Sequence, residues 1–259
     1  MGQNTKTLYE NAAQYCHALQ HRSVAYFEDA PCYPIEKLVK LHGMRRAMLE
    51  EKEEAGKWEL AKEYDGFMDA LEKLLDAPSR IYLWPEGNMP ETGEYTENPD
   101  SRYNHDPDFR PYMYEFLLPE DVKPKGAVIL CAGGDHGDCV IHEAYQSCLD
   151  FNKLGYQSFM LLNRTNMMPY TGQECGADAA RLIRMIRKDA AKYRIRENQV
   201  AFAGFSNGGL TGEECIRYYS GSQKGTDHFP DYEPDELDEY PGAPDAFLCI
   251  YGPRWEGRE

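Results

Sequence analysis

The sequence predicts an α/β domain, a mostly parallel sheet covered by helices on both faces, preceded by a helical extension. Three observations carry that expectation. From residue 126 onward, short continuous apolar runs alternate with amphipathic helical stretches, the pattern of strands buried on both faces. Upstream of about residue 80, apolar residues recur instead at three- and four-residue steps, which is the helical period. Between the two lies 78–111, rich in Pro, Gly, Asn and acidic residues, a loop composition. The expected boundaries are 1–80 for the helical extension and 81–259 for the α/β domain.

In the extension, Leu8, Tyr15, Cys16 and Leu19 form a weak stripe, and Pro34 opens a segment carrying Ile35, Leu38, Val39 and Leu41. Leu60, Ala61, Tyr64, Phe67, Met68, Leu71, Leu74 and Leu75 make a fuller stripe, ended by Pro78. Charged stretches such as EEKEEAGK read as solvated helix faces. His17 and His21 stand one turn apart, but no third ligand of suitable spacing lies nearby, so no metal site is expected. Beyond the loop, YMYEFLLP (112–119) reads as a strand and DVKPKG as a turn. AVILCA (127–132) is a buried strand, followed by a helix over 142–153 and a second strand, QSFMLLN (157–163). A helix over 172–192 has a capping box in Thr171 and Glu174 and an apolar stripe of Ala179, Leu182, Ile183, Ile186 and Ala190. QVAFAG (199–204) is a third strand, another helix follows, and DAFLCIY (245–251) is a fourth.

With 28 Lys+Arg against 44 Asp+Glu, the 259-residue chain carries a formal charge of −16. Such an excess repels phosphate backbones and anionic lipid, so neither nucleic acid nor a membrane is an expected partner; a neutral or cationic small substrate is easier to admit. No apolar run approaches the length of a membrane span and no basic-then-apolar stretch opens the chain, so a cytoplasmic protein is expected. The eight cysteines are scattered, without a C-x-x-C, and read as reduced structural thiols. Cys131 and Cys249, inside apolar runs, read as small buried hydrophobes.

The third strand runs directly into Gly204-Phe205-Ser206-Asn207-Gly208-Gly209 and then a helix. This is G-x-S-x-G in the strand–turn–helix context its chemistry requires. The turn has to be tight enough to force Ser206 into a strained backbone and lift its hydroxyl off the sheet. Side chains two positions away would collide, so Gly204 and Gly208 must lack a Cβ. The bland alternative is a surface turn with a capping serine. A serine hydroxyl is a poor nucleophile and needs support. The Asn207 amide at the start of the new helix is placed to stabilise developing negative charge. A second donor is expected from the glycine loop after the first buried strand, Cys131-Ala132-Gly133-Gly134-Asp135-His136-Gly137, with Gly134 and Asp135 as the chosen amides. The alternatives for that loop are a phosphate-cradling turn or a plain connection.

Residues 126–252 resemble the α/β-hydrolase fold, and within it the small serine esterases of the acetylxylan-esterase and feruloyl-esterase type. The resemblance rests on GAVILCAGGDHG, FNKLGYQSFMLLNR, DAARLIRMIRKDAAKYRIRENQVAFAGFSNGG and PDAFLCIYG, and IYLWPEG near residue 81 is similar to the lead-in of such esterases. It implies carboxylic-ester hydrolysis through an acyl-Ser206 intermediate, on acetyl or other small acyl esters, carbohydrate esters among them, with no cofactor. Where such esterases commonly show a third glycine, this chain has Asp135. In this fold the order is Ser, then acid, then His. After Ser206 the sequence offers one strand-like run and one histidine, His228. The resemblance therefore implies a three-layer fold truncated at its C-terminal side, with the triad acid and base not evident.

The base candidates are weak. His228 lies in TDHFPDYEPDELDEY, whose seven acidic residues without Lys or Arg read as a solvated excursion. His136 lies in the glycine loop, and Glu256 could orient a histidine. A sheet ending near residue 251 would expose an apolar edge, to be covered by the N-terminal helices or by a second subunit, so a homo-oligomer is allowed. Two further readings stand beside the esterase: a non-catalytic hydrolase-fold remnant that binds a ligand or partner, and a prolyl-oligopeptidase-like peptidase, whose propeller-sized N-terminal domain has no counterpart here.

Overall fold

Continuous apolar runs at the centre of the chain become the middle of a single sheet. The computed structural model describes residues 80–91, 110–134, 141–164, 172–221 and 227–252, all within one unit comprising Arg80–His105 and Phe109–Glu259. The expected helices of 1–80, with His17 and His21, lie outside the described residues, as do Thr171, Asp135, His136 and Glu256.

The strands are β1 (Ile81–Tyr82), β2 (Tyr112–Phe116), β3 (Ala127–Cys131), β4 (Gln157–Leu162), β5 (Val200–Phe205) and β6 (Ala246–Ile250). The helices are α1 (Ile141–Lys153), α2 (Gly172–Lys188) and α3 (Asn207–Tyr219), and a short 3-10 turn covers Glu236–Glu239. The sheet order is β1-β2-β4-β3-β5-β6. Strands β4, β3, β5 and β6 are mutually parallel, while β2 runs antiparallel to both β1 and β4. The sheet is thus mixed and mostly parallel.

The order fixes where the helices go. β3 connects through α1 to β4 on one side, whereas β4 returns through α2 to β5 on the other side, and α3 carries the chain outward to β6. With right-handed crossovers, α1 lies on one face and α2 and α3 on the opposite face. Strands β3 and β5 are neighbours whose following connections leave in opposite directions. Their C-terminal ends therefore bound a crevice, the place where open α/β sheets bind ligands.

Every residue of β3 and β4 is buried, as their unbroken apolar runs require. β6 is different: it is an edge strand, with Leu248 40% exposed and Cys249 exposed. The expectation that Cys249 is a buried hydrophobe is therefore corrected, because an edge strand lacks a neighbour on one side. Cys131, Cys148, Cys175 and Cys215 are buried free thiols, and burial pushes the Cys215 thiol up to about 12.

Three further expectations change. Within the stretch read as loop, Ile81–Tyr82 pairs with Tyr112–Met113, and Leu83 and Trp84 enter the core. Helix α2 ends at Lys188 rather than 192; the turns after it still bury Ala190 and Tyr193, which prolongs the apolar pattern past the helix. The acidic segment is not a solvated excursion. Phe229, Tyr232, Leu237 and Asp238 are buried, and three arginines at three-residue steps on α2 hold it. Arg181 pairs with Asp235, Arg184 with Asp238 at 2.7 Å, and Arg187 with Asp245 at 3.0 Å. Arg184 also donates to the Tyr240 carbonyl, and Arg187 to those of Pro241 and Ala243. An α2 buried nearly all round follows, one side on the sheet and the other under this segment.

At the crevice end of β4, Arg164 and Asp178 form a fully buried pair. The Asp178 carboxylate accepts from Arg164 Nη2 (2.7 Å), Arg164 Nε (3.1 Å), the Arg164 amide (2.8 Å) and Trp84 Nε1 (2.7 Å). A buried carboxylate with four donors is fully satisfied, so this pair anchors the chain leaving β4.

Candidate active site

Ser206 is the single residue between β5 and α3. Its backbone sits at φ 48°, ψ −114°, outside the usual region for a side-chain-bearing residue. Such a conformation costs about 1–3 kcal/mol and persists only where its surroundings over-determine it. They do so here by contact. A Cβ added at Gly204 would stand 2.1 Å from the Gly208 carbonyl oxygen, and one at Gly208 would stand 2.2 Å from the Cys131 carbonyl oxygen. The strand, the turn and the helix start are pressed together with no room for a methyl group. The Ser206 amide donates to the Ile250 carbonyl of the adjoining strand at 3.0 Å, and the Ser206 carbonyl accepts from Gly209 at 2.9 Å.

Ser206 is half-buried, and among the described residues its hydroxyl makes no hydrogen bond. Asn207 opens α3, so its amide has no acceptor within the helix. Its side chain is buried, and its Oδ1 has no hydrogen-bond partner among the described residues. The parallel register Cys131↔Gly204 brings the chain beyond β3 to the same level. Gly133 lies there against Ser206: a Cβ on Gly133 would be 2.9 Å from Ser206 Cβ and 3.0 Å from the Phe205 carbonyl oxygen. Gly134 follows at φ 154°. Of the two loop amides chosen from the sequence, Gly134 therefore lies next to the residue touching Ser206, and Asp135 lies outside the described residues.

His228 is elsewhere. Its Nε2 is 2.9 Å from the Tyr218 carbonyl oxygen and its ring meets those of Tyr218 and Tyr219 edge-on. Those tyrosines end α3, whereas Ser206 precedes its first residue. The intervening helix is roughly 18 Å long at 1.5 Å per residue, so a base role for His228 is dropped.

Two residues at the site were not singled out from the sequence. Glu143, in the first turn of α1, accepts a hydrogen bond at Oε2 from the Gly133 amide (2.9 Å) and at Oε1 from the Tyr251 hydroxyl. Tyr251 directly follows β6, where the register Phe205↔Ile250 sets it beside Ser206. Its ring lies edge-on to Phe205 at 6.0 Å, and its backbone takes φ 43°. Partial burial, and then the hydrogen bond to Glu143 and that group's charge, push the Tyr251 hydroxyl up to about 12. A local motif revealed Ser206; nothing local announces a pair 108 residues apart in the sequence.

Among the described residues no group of three His, Cys, Asp or Glu side chains is arranged to hold a metal ion, and no helix is long and apolar enough to cross a membrane. No family model matches the chain. Over 192 residues, 71% of its length, it is 26% identical to an endo-1,4-beta-xylanase B of Butyrivibrio fibrisolvens, of which it covers 28%. Among solved structures it is similar to an acetyl ester-xyloside bifunctional hydrolase from Caldicellulosiruptor lactoaceticus, with a TM-score of 0.51 and 24% identity. That match covers 68% of this chain and 57% of the other. A butyrate-bound thermophilic esterase from Thermogutta terrifontis aligns with a TM-score of 0.45 and 17% identity over 65% of this chain and 55% of its own. The chain thus spans little more than half the length of these solved proteins. The first structural likeness establishes the fold, an α/β sheet of the hydrolase type, as the sequence resemblance implied.

Proposed function

We propose that this chain is a serine-type carboxylic-ester hydrolase that cleaves acetyl or other small acyl esters, carbohydrate esters among them, through an acyl-Ser206 intermediate. The observation that carries the reading is the strained, half-buried Ser206 at the switch point of the sheet, pressed between glycines. A hydroxyl held there meets the amide end of α3 on one side and the glycine loop on the other. The Ser206 Oγ attacks the ester carbonyl carbon. The oxyanion is then stabilised by the Asn207 amide and by the Gly134 and Asp135 amides, each donor contributing about 3 kcal/mol in such sites. A base takes the Ser206 proton and returns it to the leaving oxygen as the ester C–O bond breaks, releasing the alcohol. Water, deprotonated by the same base, then adds to the acyl carbon. Breakage of the bond to Oγ frees the acid and restores the Ser206 hydroxyl. The names of the xylanase and of the acetyl ester-xyloside hydrolase support a carbohydrate-linked acetyl group as substrate.

In this reading the proton acceptor comes from outside the described residues, and His136, two positions past Gly134, is the candidate. The stretch 1–80, whose sequence reads as helical, is proposed as a separate module from 81–259, and a homo-oligomer is compatible with the exposed β6 edge. A second reading, a hydrolase fold that binds without turning over, is favoured by one observation: among the described residues no base hydrogen-bonds the Ser206 hydroxyl.

The two separate in one experiment. A serine-directed fluorophosphonate should label wild type at Ser206 and leave Ser206→Ala untouched, and a chromogenic acetate should turn over at least about a thousandfold faster with wild type. Equal background rates and no adduct would leave the binding reading standing.

A further inference from the structure

We propose that Glu143 is a positioning residue for the Ser206 site, clamping its two walls through Gly133 and Tyr251. The inference rests on the hydrolase reading for its catalytic consequence, though not for the clamp itself. The Gly133 amide belongs to the connection after β3, and Tyr251 to the chain leaving β6. These segments flank Ser206 on opposite sides, because β5 lies between β3 and β6 in the sheet. One carboxylate from α1 accepts a hydrogen bond from each. The two oxygens therefore tie together α1, the connection after β3 and the chain leaving β6.

Two observations beyond the hydrogen bonds point the same way. Gly133 approaches Ser206 so closely that an added Cβ would sit 2.9 Å from Ser206 Cβ and 3.0 Å from Glu143 Oε2. Gly133, Ser206 and the carboxylate thus share one packed contact, and moving the Gly133 turn moves the wall facing the nucleophile. Tyr251, like Ser206, has a positive φ although it carries a side chain. It is 63% exposed, so burial of its ring does not force that backbone. What the conformation does achieve is to lay the ring along Phe205 and carry the hydroxyl to Glu143. Strain of this kind, next to a strained serine, is the pattern of a pre-organised site. A loop whose amides must meet an oxyanion within a few tenths of an ångström gains from such a tie, since misplacement by 1 Å costs up to about a hundredfold in rate.

The charge of the group has the opposite effect, as a carboxylate near a developing oxyanion repels it. Position and charge can therefore be pulled apart. In Glu143→Gln the amide oxygen still accepts from Gly133 and the amide nitrogen can donate to the Tyr251 hydroxyl oxygen, so the tie survives without the charge. Glu143→Ala removes both bonds, and Tyr251→Phe removes one of them at an exposed position where folding is least at risk.

The rate of fluorophosphonate labelling at Ser206 should fall about tenfold or more in Glu143→Ala, recover in Glu143→Gln, and drop by a smaller factor in Tyr251→Phe. With a chromogenic acetate the loss should appear in kcat at little-changed KM, while the melting temperature moves by only a few degrees. Amide exchange at Gly133, measured alongside, should be protected in wild type and in Glu143→Gln and open in Glu143→Ala. Wild-type labelling rates in Glu143→Ala, or a loss in Glu143→Gln as large as in Glu143→Ala, would overturn the proposal. If wild type itself does not label, the hydrolase reading fails, and the clamp stands or falls on Gly133 exchange alone.

Discussion

Two regions of this molecule treat polar groups in opposite ways. Along α2, each arginine is matched: Arg181, Arg184 and Arg187 meet Asp235, Asp238 and Asp245. Further N–H groups reach main-chain carbonyls, Arg181 that of Leu83, Arg184 that of Tyr240, and Arg187 those of Pro241 and Ala243. Asp238 itself accepts from Arg184, from the Tyr232 hydroxyl and from the Asp235 amide. At the crevice above β3 and β5, by contrast, the Ser206 hydroxyl and Asn207 Oδ1 have no partner among the described residues, and two side-chain-bearing residues are held at positive φ. The first region is over-determined, its side-chain polar groups paired with one another and with the main chain. The second is shaped by sterics while its polar atoms stay available. Under the proposed function, unsatisfied groups beside strained backbone suit a reacting site, and saturated ones suit a scaffold.

The contrast can be broken from the crevice side first. Gly208→Ala places a methyl group 2.2 Å from the Cys131 carbonyl oxygen, backbone against backbone with nothing flexible to yield. A loss of more than about 4 kcal/mol is expected, visible as a collapse of the denaturation midpoint. A smaller but still large effect should follow on the α2 side. Arg184→Ala leaves the buried Asp238 without its cation and should cost about 3–5 kcal/mol, whereas replacing both by Met and Leu should recover much of it. Labelling of Ser206 in the folded Arg184→Ala protein should be unchanged, which would show the two regions to be independent.

The smallest effect is in the acid limb. The Arg181 guanidinium holds the Asp235 carboxyl below the usual carboxylate range, against its partial burial and with help from the Leu237 amide. A carboxyl lowered by folding stabilises fully above its unfolded pKa, and that stability fades as pH falls from about 5 through the lowered native value. Urea midpoints of Asp235→Asn should therefore lie below wild type at pH 7 and converge with it toward pH 3.

Much of this architecture was legible because it is written locally. β3, β4, β5 and β6 are continuous apolar runs, and their observed limits fall within about a residue or two of the runs themselves. Ser206 was legible for a similar reason: a glycine two residues to either side is a steric demand visible in five letters. What could not be read is whatever depends on partners brought together by the sheet. The acidic stretch near His228 looked solvated because its arginines lie more than fifty positions upstream. His228 follows Ser206 in the chain, yet α3 carries it to the far end of that helix. Nothing in the sequence marks Glu143, and Tyr251 is only the last letter of an expected strand. The β5–β6 register sets Tyr251 beside Ser206, and Glu143 joins it through the Gly133 amide and the Tyr251 hydroxyl. β1 is only two residues long, too short for any period to register.

Trp84 gives the matched region an optical handle. Its indole N–H is bound by Asp178, its face lies 4.7 Å from the Arg181 guanidinium, and Tyr232 meets it edge-on at 5.5 Å. A fluorophore between a cation of α2 and a phenol of the 228–245 segment would report loss of that segment's contacts separately from loss of the sheet. With Trp58 and Trp255 replaced by Phe, its emission would separate peeling of the acidic cover from loss of the whole fold, in a single cuvette and without any added dye.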